Sequence, residues 1–398
     1  MRGWRWVWVV MVAGCAAAPP AAPKSRDVPA LVWPDGAERP IPPLLSIAEI
    51  LRRMEASSVR YQLRPLEDCE IPPEHTAALL WPRGTPEYAF PVVTPDPDGS
   101  PIVHELSHLP EVDSLLIQAE PAYLDQRYEE ATALYDRALA LAPGYGPALL
   151  NAGDARLFGG RPLEALDLYR RAQLADPFDH RGYFYAANTL LVLGRTDDAV
   201  QAYAEALARR PRHSLLRAGI EARGKYLGRR LRGDVLQFEG FVRRGSEAVE
   251  ICATPTAGWI AWASCKAYWL GDSTHRRQML GTETPVFSNV EELECLRALL
   301  QGYEHQREEQ PDPSLEELRD ISRGGELDVL VLLELATRVD PHAALRVPSR
   351  ERPRLVRYVL RHVLVEGEGP RLYPPGQGPG GPLEAKFTAA DVAPPPPR

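Results

Sequence analysis

Lysine is nearly missing from this chain: of 46 basic residues only Lys24, Lys225, Lys266 and Lys386 are lysines, a bias that reads as a GC-rich genome rather than as chemistry. A basic excess is missing too, since the net charge is -8, and that argues against a nucleic-acid partner held through phosphate contacts. There is no glycine-rich phosphate loop and no Gly-x-Ser-x-Gly elbow, so no cofactor is expected. The N-terminal apolar run, Trp6 to Ala13, is eight residues long. As a helix it would span about 12 Å, against about 30 Å for a bilayer core, so it is no membrane span. Cysteine is sparse, with five in 398 residues.

What is present is ordinary in bulk: 44% apolar and 25% charged residues in 398 are enough for two or three domains with a sizeable core. Forty prolines are not ordinary, and they crowd towards the two ends.

The opening stretch, MRGWRWVWVVMVAGC, puts Arg2 and Arg5 before the short apolar run and closes on Val12-Ala13-Gly14-Cys15. That ending resembles the lipobox of bacterial lipoproteins. The resemblance implies a signal peptide over residues 1–14 and a lipid on Cys15. Several acyl chains would then hold the protein firmly to a membrane. Ala16 stands where Asp would resemble an inner-membrane retention signal. In a diderm host the expectation is therefore an outer-membrane lipoprotein facing the periplasm. Residues 15–45 are rich in Ala and Pro and read as a tether, and 366–398 form a Pro/Gly-rich tail; neither can bury a core, and both are expected to be disordered.

The strongest pattern lies between 112 and 213. Pro143, Pro177 and Pro211 are 34 residues apart, and so are Ala131, Ala165 and Ala199; Tyr135, Tyr169 and Tyr203; Ala138, Ala172 and Ala206; and Ala119, Gly153 and Ala187. This resembles the tetratricopeptide repeat (TPR), a helix–turn–helix unit of that length. Small residues let the paired helices approach closely, Tyr fills the gap to the next unit, and Pro ends the second helix. Gly160 and Gly194 fall at the turns, where a positive φ is cheap only for glycine.

Carried over position by position, the resemblance implies a concave groove lined by Leu116, Ile117, Glu120, Leu124, Leu150, Asn151, Asp154, Phe158, Arg181, Phe184, Tyr185 and Asn188. Some relatives clamp a C-terminal carboxylate there with Lys, Asn and Arg. Asn151 and Arg181 match that pattern, but Leu116, Glu120 and Tyr185 replace a Lys, an Asn and a basic residue. The implied ligand is instead an extended or helical segment with apolar and basic side chains.

Beyond Pro211, residues 214–365 read as a capping helix followed by a helical domain. Nine basic residues between Arg209 and Arg232 read as a solvated capping face. Trp262, Cys265, Lys266 and Trp269 share one face of a helix, as a core stripe would. With Cys15 lipidated, Cys69, Cys252, Cys265 and Cys295 remain. Three pairings are open, and buried free thiols fit as well. Cys265 and Cys295 both sit on amphipathic helices that could pack together.

Residues 46–110 hold one expected helix, SIAEILRRMEASS, and then HELSH, in which His104, Glu105 and His108 have zinc-hydrolase spacing. On a helix the two His could share a zinc and Glu105 could serve as general base, which resembles a zinc-dependent periplasmic metalloprotease. The flanks favour a hairpin instead. Pro101 and Pro110 bracket the motif, and YAFPVVTPDPDGSPIVHEL reads as two strands around an Asp-Gly turn. In a strand the two His would stand about 13 Å apart.

The expectation is thus a mainly α protein: a three-repeat TPR helical solenoid, then a helical domain, with a small irregular or β N-terminal region and disordered tails. It binds a protein or peptide partner through the groove and the membrane through its lipid, and it is not an enzyme.

Overall fold

The computed structural model describes residues 30–32, 38–40, 42–70, 87–95, 97 and 101–367. Residues 1–14, Cys15 and the tail beyond 367 lie outside the described residues.

The first elements in the chain are a strand pair, β1 (Ala30–Val32) and β2 (Glu38–Pro40), the helix α1 (Ile47–Ala56), and the strands β3 (Tyr61–Pro65), β4 (Pro91–Pro95) and β5 (Pro101–Glu105). Ser46 caps α1 by accepting from the Glu49 amide. β4 and β5 form an antiparallel hairpin in the register Val93↔Val103, with prolines at both outer positions. The region from 15 to 45 was expected to be a featureless tether. Its second half instead holds the β1–β2 pair, and the Leu45 amide donates to Glu294 at 2.6 Å.

Three helix pairs follow: α2 (Pro110–Leu124) with α3 (Tyr128–Leu141), α4 (Gly146–Phe158) with α5 (Pro162–Ala175), and α6 (His180–Val192) with α7 (Thr196–Arg209). α8 (Ser214–Leu227) closes the stack. Each second helix ends just before Pro143, Pro177 or Pro211, whose ring cannot continue it. Ala131, Ala165 and Ala199 are fully buried at the crossings. At the turns Gly160 and Gly194 have φ of 80° and 71°, and the equivalent place in the first repeat is held by Gln126 at 62°. A side chain at that φ is strained, so the first repeat carries a cost the other two avoid.

The second unit is α/β in its first part. After β6 (Arg229–Leu231), the hairpin of β7 (Gly240–Arg244) and β8 (Val249–Ala253) packs on α9 (Ala257–Gly271). Strand β3, from the N-terminal region, adds parallel to β8 in the register Leu63↔Ile251. The Cys69–Cys252 disulfide fixes this addition, and Cys265–Cys295 joins α9 to α11 (Asn289–Glu304), which follows the short α10 (Ser273–Leu280). The expected single N-terminal region over 46–110 is therefore split: its first part is built into the second unit, and its hairpin segment touches both the repeats, through Phe90 and Arg181, and the second unit, through Tyr88 and His342.

α12 (Pro313–Arg323) is followed by α13 (Leu327–Leu330, a π-helical Val331–Ala336, then Thr337–Val339) and by α14 (Arg352–Tyr358, with a π-helical Val359–Val363). Within the π turn, Glu334 accepts the Val235 amide at 2.9 Å and the Tyr358 hydroxyl at 2.6 Å, tying three distant segments at one carboxylate. β9 (Leu364–Glu366) returns to pair with β6. Among the described residues no helix is long and apolar enough to cross a membrane.

The core stripe on α9 holds an unexpected charge. Lys266, 1% exposed, ion-pairs with Glu291 at 2.5 Å and Glu292 at 2.7 Å. Beside it Glu294 accepts from Trp269 Nε1 at 2.7 Å. The basic run after Pro211 is likewise not the solvated face expected. Arg210 pairs with Glu87 at 2.6 Å, and Arg212 with Asp234 at 2.6 Å and with the Glu334 carbonyl at 2.7 Å. Arg209, Arg210 and Arg223 are buried. Of these, Arg212 bridges the repeats and the second unit, where a long apolar stem with a charged tip suits a packed seam.

Candidate peptide-binding groove

The first helix of each repeat supplies the candidate groove. On α2, Ile117 and Leu124 are 67% and 69% exposed, with the exposed Glu120 between them and Leu116 half-buried alongside. Positions 117, 120 and 124 lie on one helix face. Neighbouring α4 contributes the half-buried Asn151, Asp154 and Phe158. The Phe158 ring meets Tyr123 edge-on at 6.0 Å and stacks on Tyr128 at 6.0 Å, an aromatic wall at one end of the groove.

Three residues expected in the groove are not on its surface. Leu150, Phe184 and Asn188 are 3%, 5% and 3% exposed. Phe184 packs on Tyr203 at 5.8 Å, and a Cβ at Gly219 would run into its ring, so it seals the last repeat onto α8. Asn188 accepts the Tyr203 hydroxyl at 2.5 Å. The capping helix covers Phe184, and Asn188 is taken up by Tyr203 of its own repeat.

Arg181 is half-buried and already engaged. Its guanidinium donates to both oxygens of Asp179, at 2.7 to 3.1 Å, and lies 4.0 Å from the Phe90 ring centroid. Burial pushes the Asp179 carboxyl up, but the charge and hydrogen bonds of Arg181 win and hold it below its usual value. A C-terminal carboxylate would have to compete with Asp179, so the clamp is closed by the chain itself. No sequence signal marked Phe90 for this place; it arrives through the hairpin entry, which Arg210 and Glu105 hold.

Asp154 is the groove's most distinctive group. It accepts the Tyr169 hydroxyl at 2.5 Å, as Asn188 accepts from Tyr203 one repeat later. Burial pushes its carboxyl up to about 7, with the Tyr169 bond opposing. Tyr169 lies so close to α4 that a Cβ at Gly153 would strike its ring, which is why glycine replaces the Ala of the other two repeats. Tyr185, half-buried, tilts against Tyr169 with ring centroids 5.7 Å apart. The 34-residue recurrence of Tyr135, Tyr169 and Tyr203 was the signal that could have linked these rings to Asp154.

HELSH does not make a helix. His104 and Glu105 close strand β5, and His108 lies in the extended link to α2. Each side chain has a separate local task. His104 Nδ1 meets the Glu105 carbonyl at 2.9 Å, and His108 Nδ1 meets Asp113 at 3.1 Å. Glu105 accepts the Ala89 and Phe90 amides at 3.0 and 2.7 Å. The helical spacing on which shared zinc ligation depends is therefore not present, and among the described residues no group of three His, Cys, Asp or Glu could hold a metal.

Residues 150–214 match the family model described as tetratricopeptide repeat. No curated protein matches the chain. Among solved structures, the TPR domain of Sgt2 from Aspergillus fumigatus is similar at 22% identity, with 29% of this chain and 78% of that one covered and a TM-score of 0.28. The type III secretion chaperone SycD of Yersinia enterocolitica, solved with a peptide of the translocator YopD, is similar at 21% identity over 27% of this chain and 82% of that one, with a TM-score of 0.26. The family match over 150–214 and the three helix pairs in 34-residue register agree: the chain carries a tetratricopeptide-repeat solenoid.

Proposed function

We propose that this protein is a lipid-anchored adaptor of the cell envelope that holds a peptide segment or protein partner in the groove of its repeats, and that it is not an enzyme. The observation that carries the reading is the stripe on α2, where Ile117 and Leu124 stand about two-thirds exposed on one face beside Leu116 and the Phe158 wall. Single exposed apolar residues need no explanation, but a stripe at the mouth of a concave aromatic surface is where binding energy concentrates. The anchor rests on the lipobox-like Val12 to Cys15. Two disulfides among the described residues support an oxidising compartment, as the periplasm would be.

Two measurements test this. Mass spectrometry of the purified protein should find acyl chains on Cys15, and Cys15→Ser should leave the chain unanchored or unprocessed. A double substitution Ile117→Glu with Leu124→Glu should abolish recovery of the partner while leaving thermal unfolding unchanged, because both side chains face solvent. A partner still recovered at wild-type level would contradict the groove reading, and an unmodified Cys15 would contradict the anchor.

A further inference from the structure

Several buried carboxylates of this protein are matched by cations, Asp179 by Arg181, Glu291 and Glu292 by Lys266, and Glu326 by Arg361, while Glu334 is held by two neutral donors, the Val235 amide and the Tyr358 hydroxyl. Asp154 stands apart from both. It accepts one hydrogen bond, from Tyr169, and among the described residues it has no ion-pair partner. It also sits among phenol rings. Burial first, and the nearby Asp154 charge second, raise the pKa of each of Tyr123, Tyr135, Tyr169 and Tyr185. One repeat earlier the equivalent position is Glu120, exposed and likewise without a partner among the described residues, whereas one repeat later it is the neutral Asn188. At the groove's far end Arg181 is paired with Asp179 and Arg210 with Glu87. Negative charge is therefore concentrated at the end of the groove where Ile117 and Leu124 are exposed.

We propose that Asp154 anchors one lysine or arginine side chain of the bound segment, with its aliphatic stem lying among the tyrosine rings. This rests on the groove reading above and says which chemistry the groove selects. A cation gains from the carboxylate and from the negative faces of the phenols, and its apolar stem suits the rings. A norleucine would gain only the stem contact. A glutamate would meet two acids.

The test uses the full-length protein and fluorescent peptide pools whose flanks are degenerate in Leu, Ile, Phe, Ala and Ser, with one central position fixed as Lys, Arg, norleucine, Gln or Glu. Fluorescence polarisation at neutral pH should show the Lys and Arg pools binding about tenfold or more tighter than the norleucine pool, the difference expected of a charge-assisted hydrogen bond. Asp154→Asn should erase that difference and leave norleucine binding as it was. The variant keeps its fold by design, because Asn188 already accepts from Tyr203 in the equivalent place. Equal binding of the Gln or norleucine pools to wild type, or a Lys preference that survives Asp154→Asn, would overturn the inference while leaving the groove reading standing. If no pool binds wild type better than it binds the Ile117→Glu, Leu124→Glu double variant, the groove reading falls, and this inference with it.

Discussion

The repeats and the second unit are both helical, yet they are specified in different ways. In the repeats each helix packs on its sequence neighbours, so the same requirements recur every 34 residues and leave the same residues at the same step. In the second unit the partners are remote. Strand β3 pairs with β8 and is held by a disulfide spanning 183 residues, and Leu45 reaches Glu294 across 249. A periodic pattern records neighbours; it leaves no record of which distant strand completes a sheet. Nor does composition tell an exposed arginine from one in a seam, which is why the run from Arg209 to Arg232 looks like a solvated face although Arg212 and Arg232 reach across to the second unit.

The largest effect that would sharpen this contrast should come from Lys266. Lys266→Ala takes from buried Glu291 and Glu292 the ammonium they share, a loss of about 3–5 kcal/mol in urea unfolding. A loss under about 1 kcal/mol would mean that the cluster is hydrated rather than sealed.

Next in size is the long disulfide. Replacing Cys69 and Cys252 together by Ala should cost about 2–4 kcal/mol and loosen β3 first, seen as faster hydrogen exchange at 61–65 and 249–253 than in the repeats. Equal acceleration in both regions would show that the two units open as one.

Acidity separates the repeats in a milder way. With the Asp154 carboxyl raised to about 7 from the ordinary 3.8, the folded state binds a proton the unfolded state has released. Its contribution is therefore complete at low pH and is lost as pH rises from about 4 to about 7. The difference in stability between wild type and Asp154→Asn should change across that window and level off above it; a flat difference would place the carboxyl in ordinary solvent.

The smallest effect is a gain. Gln126→Gly puts glycine where the other two repeats already have it, and should stabilise the first repeat by about 1 kcal/mol through relief of the positive φ.

Much of the repeat fold was legible because Ala165, Tyr169 and Pro177 each have a physical reason to recur. The candidate groove shows the limit. Ile117, Glu120 and Leu124 are exposed and Asp154 is half-buried, but Phe184 is sealed against α8 and Asn188 against Tyr203, and the register holds no information about the cap. Arg181 shows a second limit. Its availability depends on Phe90 and Asp179, one of them far away in sequence. HELSH shows the reverse: the spacing fits zinc, but prolines and strand pairing take the segment out of the helix that spacing requires.

The groove reading can be tested most directly with a photoreactive amino acid placed at Ile117, and separately at Leu174, which is 82% exposed on the second helix of its repeat. The account predicts one dominant crosslinked partner from position 117 in intact cells, lost when Leu124→Glu is added, and no such adduct from position 174. The same adduct from both positions, or none from position 117, would contradict it.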